Sequence, residues 1–167
     1  TISASEDNTV RVWDISNGQS VAVLRGAENE VKGAMFCEDG QRVVAGGYDK
    51  KIRFWDIAGG KSSVRFRGHS LGVNEVLINS INKFSVTASA DCTLKFWTMQ
   101  EGHLIRRLKG HNSPLNCCSM SQDGKLLISG SEDGTAMIWN LNKDNPLQQL
   151  LRGHKSGINC VAISHDN

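Results

Sequence analysis

Histidines, cysteines and regularly spaced aspartates are the residues here that could do chemistry. His69, His103, His111, His154 and His165 could act as bases or metal ligands. Asp7, Asp49, Asp91 and Asp133 could act as paired acids. Nearby serines would complete a Ser-His-Asp set. The local patterns such chemistry needs are missing. There is no GxSxG nucleophile elbow, and no Walker A or GxGxxG phosphate loop. Among Cys37, Cys92, Cys117, Cys118 and Cys160 no CxxC pair occurs. Adjacent Cys117 and Cys118 would point to opposite faces of a strand, which does not suit zinc. The thiols read as reduced and mostly buried in strands. The sequence therefore implies no catalytic residue, no cofactor and no metal.

The spacing of these residues points to architecture instead. SEDNTVRVWD (Ser5 to Asp14), GYDKKIRFWD (Gly47 to Asp56), SADCTLKFWT (Ser89 to Thr98) and SEDGTAMIWN (Ser131 to Asn140) are versions of one device. Trp13, Trp55, Trp97 and Trp139 stand 42 residues apart, each with an Asp six residues before it. Such strict phase marks an internal repeat. One aspartate per repeat, always at the same turn, is a scaffold residue. His69, His111 and His154 also keep the phase, and their role is read as structural.

The 167 residues suffice for one domain, and 39% hydrophobic with 22% charged residues is a globular composition. A net charge of +2 does not by itself imply a nucleic-acid partner. No apolar run reaches the length of a membrane span, and no signal peptide is visible. A cytoplasmic or nuclear location is expected. The chain begins at Thr1 inside a strand-like run, so the native start is expected to lie upstream.

Thr9 to Trp13 alternates strictly, with Val10 and Val12 on one face and Thr9, Arg11 and Trp13 on the other. That period of two predicts a strand. Asn17-Gly18 predicts a hairpin turn. At the head of the second repeat Val31, Ala34 and Phe36 are spaced three then two. Val73, Val76 and Ile78 repeat this, as do Leu115, Cys118 and Met120, and Ile158, Val161 and Ile163. A plain strand gives two and two, so the spacing predicts a β-bulge after the first residue. No segment carries a helical stripe. The prediction is all-β, with four short strands per repeat.

A Gly-His pair followed by a Trp strand, as in Gly68-His69 with Trp97 and Gly110-His111 with Trp139, resembles the WD40 repeat. Gly26-Ala27 with Trp55-Asp56 is a degenerate copy. The resemblance implies a β-propeller of four-stranded antiparallel blades. Blades are expected at 27–67, 69–109 and 111–152, with blade pieces at 1–25 and a first strand of another blade within 154–167. The chain would supply about four blades, three complete and one split between the termini, of a seven- or eight-bladed ring. Two copies joined head-to-tail would close eight.

The resemblance also implies a hydrogen-bond network in each blade. Its members would be His69, Thr87, Asp91 and Trp97, then His111, Ser129, Asp133 and Trp139. The split set would be His154 with Ser3, Asp7 and Trp13. The second repeat keeps Asp49 and Trp55 but has Ala27 and Ala45 in place of the other two, so its blade is expected to be the least rigid. Family geometry puts the turn before each Asp, and the residue two before each Trp, on a partner-facing rim. Glu6, Tyr48 and Glu132, with Arg11, Arg53 and Lys95, are thus candidate protein-binding residues. Ala90 and Met137 hold the remaining equivalent positions. The implied function is a non-enzymatic scaffold for protein–protein interaction. The alternatives are a regulatory or sensor propeller within a larger signalling protein, and a nucleic-acid or chromatin reader. The mixed charge of the rim disfavours the reader.

Overall fold

Every regular element among the described residues is a strand. The computed structural model describes residues 1–37, 39–59, 62–79, 81, 83–99 and 101–164, with the backbone alone for 62–67. Strands β1 (Ile2–Ala4), β2 (Val10–Trp13) and β3 (Ser20–Leu24) form a three-stranded sheet. Three four-stranded sheets follow. The second holds β4 (Val31–Phe36), β5 (Arg42–Gly47), β6 (Lys51–Asp56) and β7 (Ser62–Arg67). The third holds β8 (Val73–Asn79), β9 (Phe84–Ser89), β10 (Thr93–Thr98) and β11 (Leu104–Lys109). The fourth holds β12 (Leu115–Met120), β13 (Leu126–Ser131), β14 (Ala136–Asn140) and β15 (Leu147–Leu151). Within each sheet the strands pair antiparallel with their chain neighbours, as short polar turns require. No strand of the first sheet pairs with the fourth.

Three of the four predicted bulges are present, and the fourth, after Ile158, falls in a segment that forms no strand. Register shifts between Val31 and Gly33, between Val73 and Glu75, and between Leu115 and Cys117. The residue left over in each bulge is Lys32, Asn74 or Asn116. A second series of shifts precedes the tryptophans at Val12/Trp13, Phe96/Trp97 and Ile138/Trp139, with its counterpart at Ile52/Arg53. Nothing in the hydrophobic spacing announces these.

The apolar core lies between sheets rather than inside one. Val10 and Leu24 meet Val31, Val43 and Trp55 between the first two sheets. Val44, Ile52 and Phe54 meet Val73, Val76 and Trp97 between the second and third. Val86, Leu94 and Phe96 meet Leu115, Leu127 and Trp139 between the third and fourth. An inner sheet is therefore covered on both faces. Five consecutive residues of β10, Thr93 to Trp97, are buried. Trp13, in the first sheet, is only half-buried.

The segment after β15 forms no strand over 157–164. It nevertheless lies along the fourth sheet: Ile158 N–H donates to Ser131 O at 2.9 Å and Ile163 N–H to Ser119 Oγ at 3.2 Å. Among the described residues no strand pairs with this segment. His165, at the end of the expected strand, is outside the described residues.

A candidate protein-binding rim and the network beneath it

The third sheet carries the most complete network. Trp97 Nε1–H donates to Thr87 Oγ1 at 2.9 Å, and Thr87 Oγ1 lies 2.7 Å from His69 Nε2. His69 Nδ1 lies 2.8 Å from Asp91 Oδ2, while Thr93 Oγ1 donates to Asp91 Oδ1 at 2.5 Å. The Thr87 hydroxyl and the Asp91 carboxylate thus hold one ring nitrogen each. Burial works to raise the Asp91 carboxyl, but hydrogen bonds from His69 and Thr93 outweigh it and hold it below the usual carboxylate range. A buried indole and imidazole must find partners, and here they share one hydroxyl.

The fourth sheet repeats the arrangement. Trp139 Nε1–H donates to Ser129 Oγ at 2.9 Å, with His111 Nε2 also 2.9 Å from that oxygen. Asp133 Oδ2 is 3.4 Å from His111 Nδ1. Burial lowers the His111 pKa and outweighs the opposing charge of Asp133, which favours the uncharged ring. The glycines before His69 and His111 have a steric reason. A Cβ on Gly68 would lie 2.7 Å from Trp97 Cη2, and one on Gly110 2.9 Å from Trp139 Cη2.

The second sheet solves the same problem with other groups. Trp55 is 1% exposed, and its Nε1–H donates to Arg25 O at 2.8 Å. Ala27 and Ala45 pack around it as apolar residues. Asp49, with no imidazole to meet, takes the Arg53 guanidinium. Its Oδ2 also accepts Glu28 N–H at 3.1 Å, just as Asp91 Oδ2 accepts Ser70 N–H at 3.1 Å. The expectation of a loosened second blade rested on counting lost partners, and these replacements remove its basis.

In the first sheet Trp13 Nε1–H donates to Ser3 Oγ at 2.8 Å, and Thr9 Oγ1 donates to Asp7 Oδ1 at 2.6 Å. His154 is exposed at the other end of the array.

Two of the expected rim residues are buried instead. Arg53 is 2% and Lys95 7% exposed. Lys95 donates to Gly68 O, and its ammonium lies 3.6 Å from Asp91 Oδ2. The cause is the stacking: alternation along β6 and β10 separates two faces, and neighbouring sheets cover both. Met137, at the equivalent place, is buried too. Arg11 is half-buried, with its guanidinium 5.9 Å above the Trp13 ring.

Glu6, Tyr48 and Glu132 are exposed. Lys32 brings the first two together. Its ammonium lies 2.9 Å from Glu6, 3.0 Å from Glu30, and 5.0 Å over the Tyr48 ring. Those carboxylates raise the Lys32 pKa and keep it charged. A groove of about 440 Å³ runs from Lys32 and Tyr48 to Glu132 and Asn159. Its lining includes the bulge residues Asn74 and Asn116, and Glu75 beside them.

Sequence reasoning missed the bulge residues as site residues. Their signal is a polar residue, Lys32, Asn74, Asn116 or Asn159, directly after the first apolar residue of each unit. It also missed the threonine of Asp-x-Thr, present as Thr9, Thr93 and Thr135 and bonded to its aspartate each time.

Among the described residues no three His, Cys, Asp or Glu side chains gather as a metal site, and no helix is long and apolar enough to cross a membrane. No curated protein matches the chain. The family described as WD domain, G-beta repeat matches residues 1–14, 18–56, 60–98, 102–140 and 145–167. The internal matches end at Asp56, Thr98 and Asn140, directly after the tryptophans, so each family repeat is offset from its sheet by one strand. WD40 repeats in general build scaffolds for protein interaction, and this chain, matched almost throughout and folded as successive antiparallel blades, belongs to the WD40-repeat family.

Proposed function

We propose that this chain is a non-catalytic scaffold that binds other proteins through the rim carrying Glu6, Tyr48 and Glu132. The observation that supports it is the exposure of Tyr48: the residue is 44% exposed, yet its ring is held in place by Lys32 and by close approach to Gly72. A rigidly placed aromatic within a charged surround suits a protein contact. The turns that carry this rim are fixed by the buried networks beneath them, which gives partners a rigid platform. A reduced compartment, cytoplasmic or nuclear, suits the free thiols at Cys37, Cys92, Cys117, Cys118 and Cys160. Affinity capture with mass spectrometry tests the reading. A Glu6→Lys, Tyr48→Ala, Glu132→Lys variant is expected to keep its melting temperature and lose partners. An unchanged set of partners removes the rim from the account.

A second reading concerns assembly. Ser3, Asp7 and Trp13 at one end and His154 at the other are complementary members of the network seen whole in the third sheet. A second copy set head-to-tail joins them and closes eight blades.

A further inference from the structure

We infer that the groove between the inner-strand bulges receives an arginine side chain from a protein partner, with Glu75 as its carboxylate acceptor. The inference rests on the scaffold reading above and specifies the chemistry of what is bound. Glu75 follows the bulge residue of β8. The in-phase residues are Gly33, Cys117 and Cys160, so the repeat itself requires no acid there. Glu75 is half-buried, and burial raises its carboxyl. Among the described residues it accepts one hydrogen bond, a long one from Val76 N–H at 3.4 Å. Among the described ion pairs none includes it. A carboxylate partly withdrawn from water without a cation is costly, and a cation from outside relieves that cost.

The neighbouring amides favour a donor-rich ligand. Asn74 Nδ2–H donates to Leu115 O at 2.7 Å, and Asn116 Nδ2–H to Ile158 O at 3.1 Å. With each nitrogen committed across a blade boundary, each Oδ1 remains as an acceptor. Lys32, the one cation among the described lining residues, is already held by Glu6 and Glu30. Glu75 and Glu132 against Lys32 leave a formal charge of −1 (2 negative, 1 positive) on the described lining, and Lys32 is itself paired with Glu6 and Glu30 beside it. A guanidinium presents five N–H donors in a plane, so it can bond a carboxylate and amide oxygens together, whereas an ammonium is a point charge.

The test uses the intact protein and blocked pentapeptides, Ala-Ala-X-Ala-Ala, with X as arginine, lysine, citrulline or glutamate, followed by calorimetry at low salt. The arginine peptide is expected to bind, with citrulline at least tenfold weaker and glutamate not at all. Glu75→Gln is expected to melt at or above the wild-type temperature and to weaken the arginine peptide at least tenfold. Glu75→Asp keeps the charge and is expected to retain most of the affinity. Equal binding of arginine and citrulline, equal binding by Glu75→Gln, stronger binding of lysine, or no binding of arginine at millimolar concentration each overturns the inference. Protein capture separates the two readings. Partners lost in the rim variant but kept in Glu75→Gln leave the scaffold standing and remove the arginine site. Arginine selectivity without any captured protein does the reverse.

Discussion

Arg53 holds Asp49 in the place where His69 holds Asp91 one blade later. The Arg53 side chain is 3% exposed and that of Asp49 5%, so the pair is withdrawn from water. Glu28 adds a second carboxylate 3.7 Å from the guanidinium. The degenerate repeat has thus exchanged an aromatic relay for an ion pair.

Arg53→Ala is expected to cost about 3–5 kcal/mol, because it leaves Asp49 buried without its cation. Asp49→Ala together with Arg53→Ala is expected to cost clearly less than the two single changes added. Denaturant titrations arranged as a double-mutant cycle measure this. Additive losses would mean the pair is not coupled.

Thr87→Val removes the oxygen that serves both Trp97 and His69. Two buried donors or acceptors then lack partners, at about 1–3 kcal/mol each. Thr87→Ser is expected to be mild. Ala45→Ser places a hydroxyl where no imidazole waits, and is expected to destabilise. A stabilised Ala45→Ser protein, read by its unfolding midpoint, contradicts the network account.

Acid should act in two steps. His111 has a lowered pKa in the fold, so the unfolded chain takes up the proton more readily. Its contribution is present above the ordinary value of 6.5 and falls away as pH drops below it. Asp91 and Asp133 are also lowered, so their contributions are complete above the ordinary 3.8 and are lost progressively as pH falls below it. Unfolding midpoints from pH 8 to 3 show this, and His111→Gln is expected to flatten the upper step alone.

The turn after each aspartate needs a left-handed residue. Asn8, Lys50, Cys92 and Gly134 hold φ of 66°, 64°, 65° and 77°. Cys92→Gly should therefore stabilise by about 1 kcal/mol, the cost of that conformation for a side chain being about 1–2. Gly134→Ala should be worse than neutral, since its Cβ would sit 3.0 Å from His154 O. Differential scanning calorimetry of the two variants checks the opposite signs.

Static light scattering tests assembly. The isolated chain is expected at twice 18.2 kDa. A stable monomer that does not aggregate removes the head-to-tail dimer.

The strands of the four sheets and the bulges of β4, β8 and β12 were legible because hydrophobic spacing records backbone geometry directly. Val31, Ala34 and Phe36 report the extra residue at Lys32 without any knowledge of neighbours. Exposure was not legible. Alternation tells that Arg53 and Ile52 face opposite ways, but not that a sheet covers each side. Nor could spacing show that Arg25 O would serve Trp55, since a backbone carbonyl leaves no trace in residue type. Tyr48 was found because it stands at a turn, where stacking does not reach.

Placing the apolar layers between sheets makes each blade depend on its neighbours. Within a single copy a flanking blade can open by separating one layer, while the third sheet must separate from the sheets on both sides. Local opening free energies should therefore climb from the flanks inward, as in a zipper that frays. Amide hydrogens in β9 and β10 are then the last to exchange, and those in β2 exchange earlier although the hydrogen bonds are of the same kind. A partner that bridges the first and second blades, where Lys32 already ties Glu6 to Tyr48, would slow exchange in β1 to β3 without touching those strands.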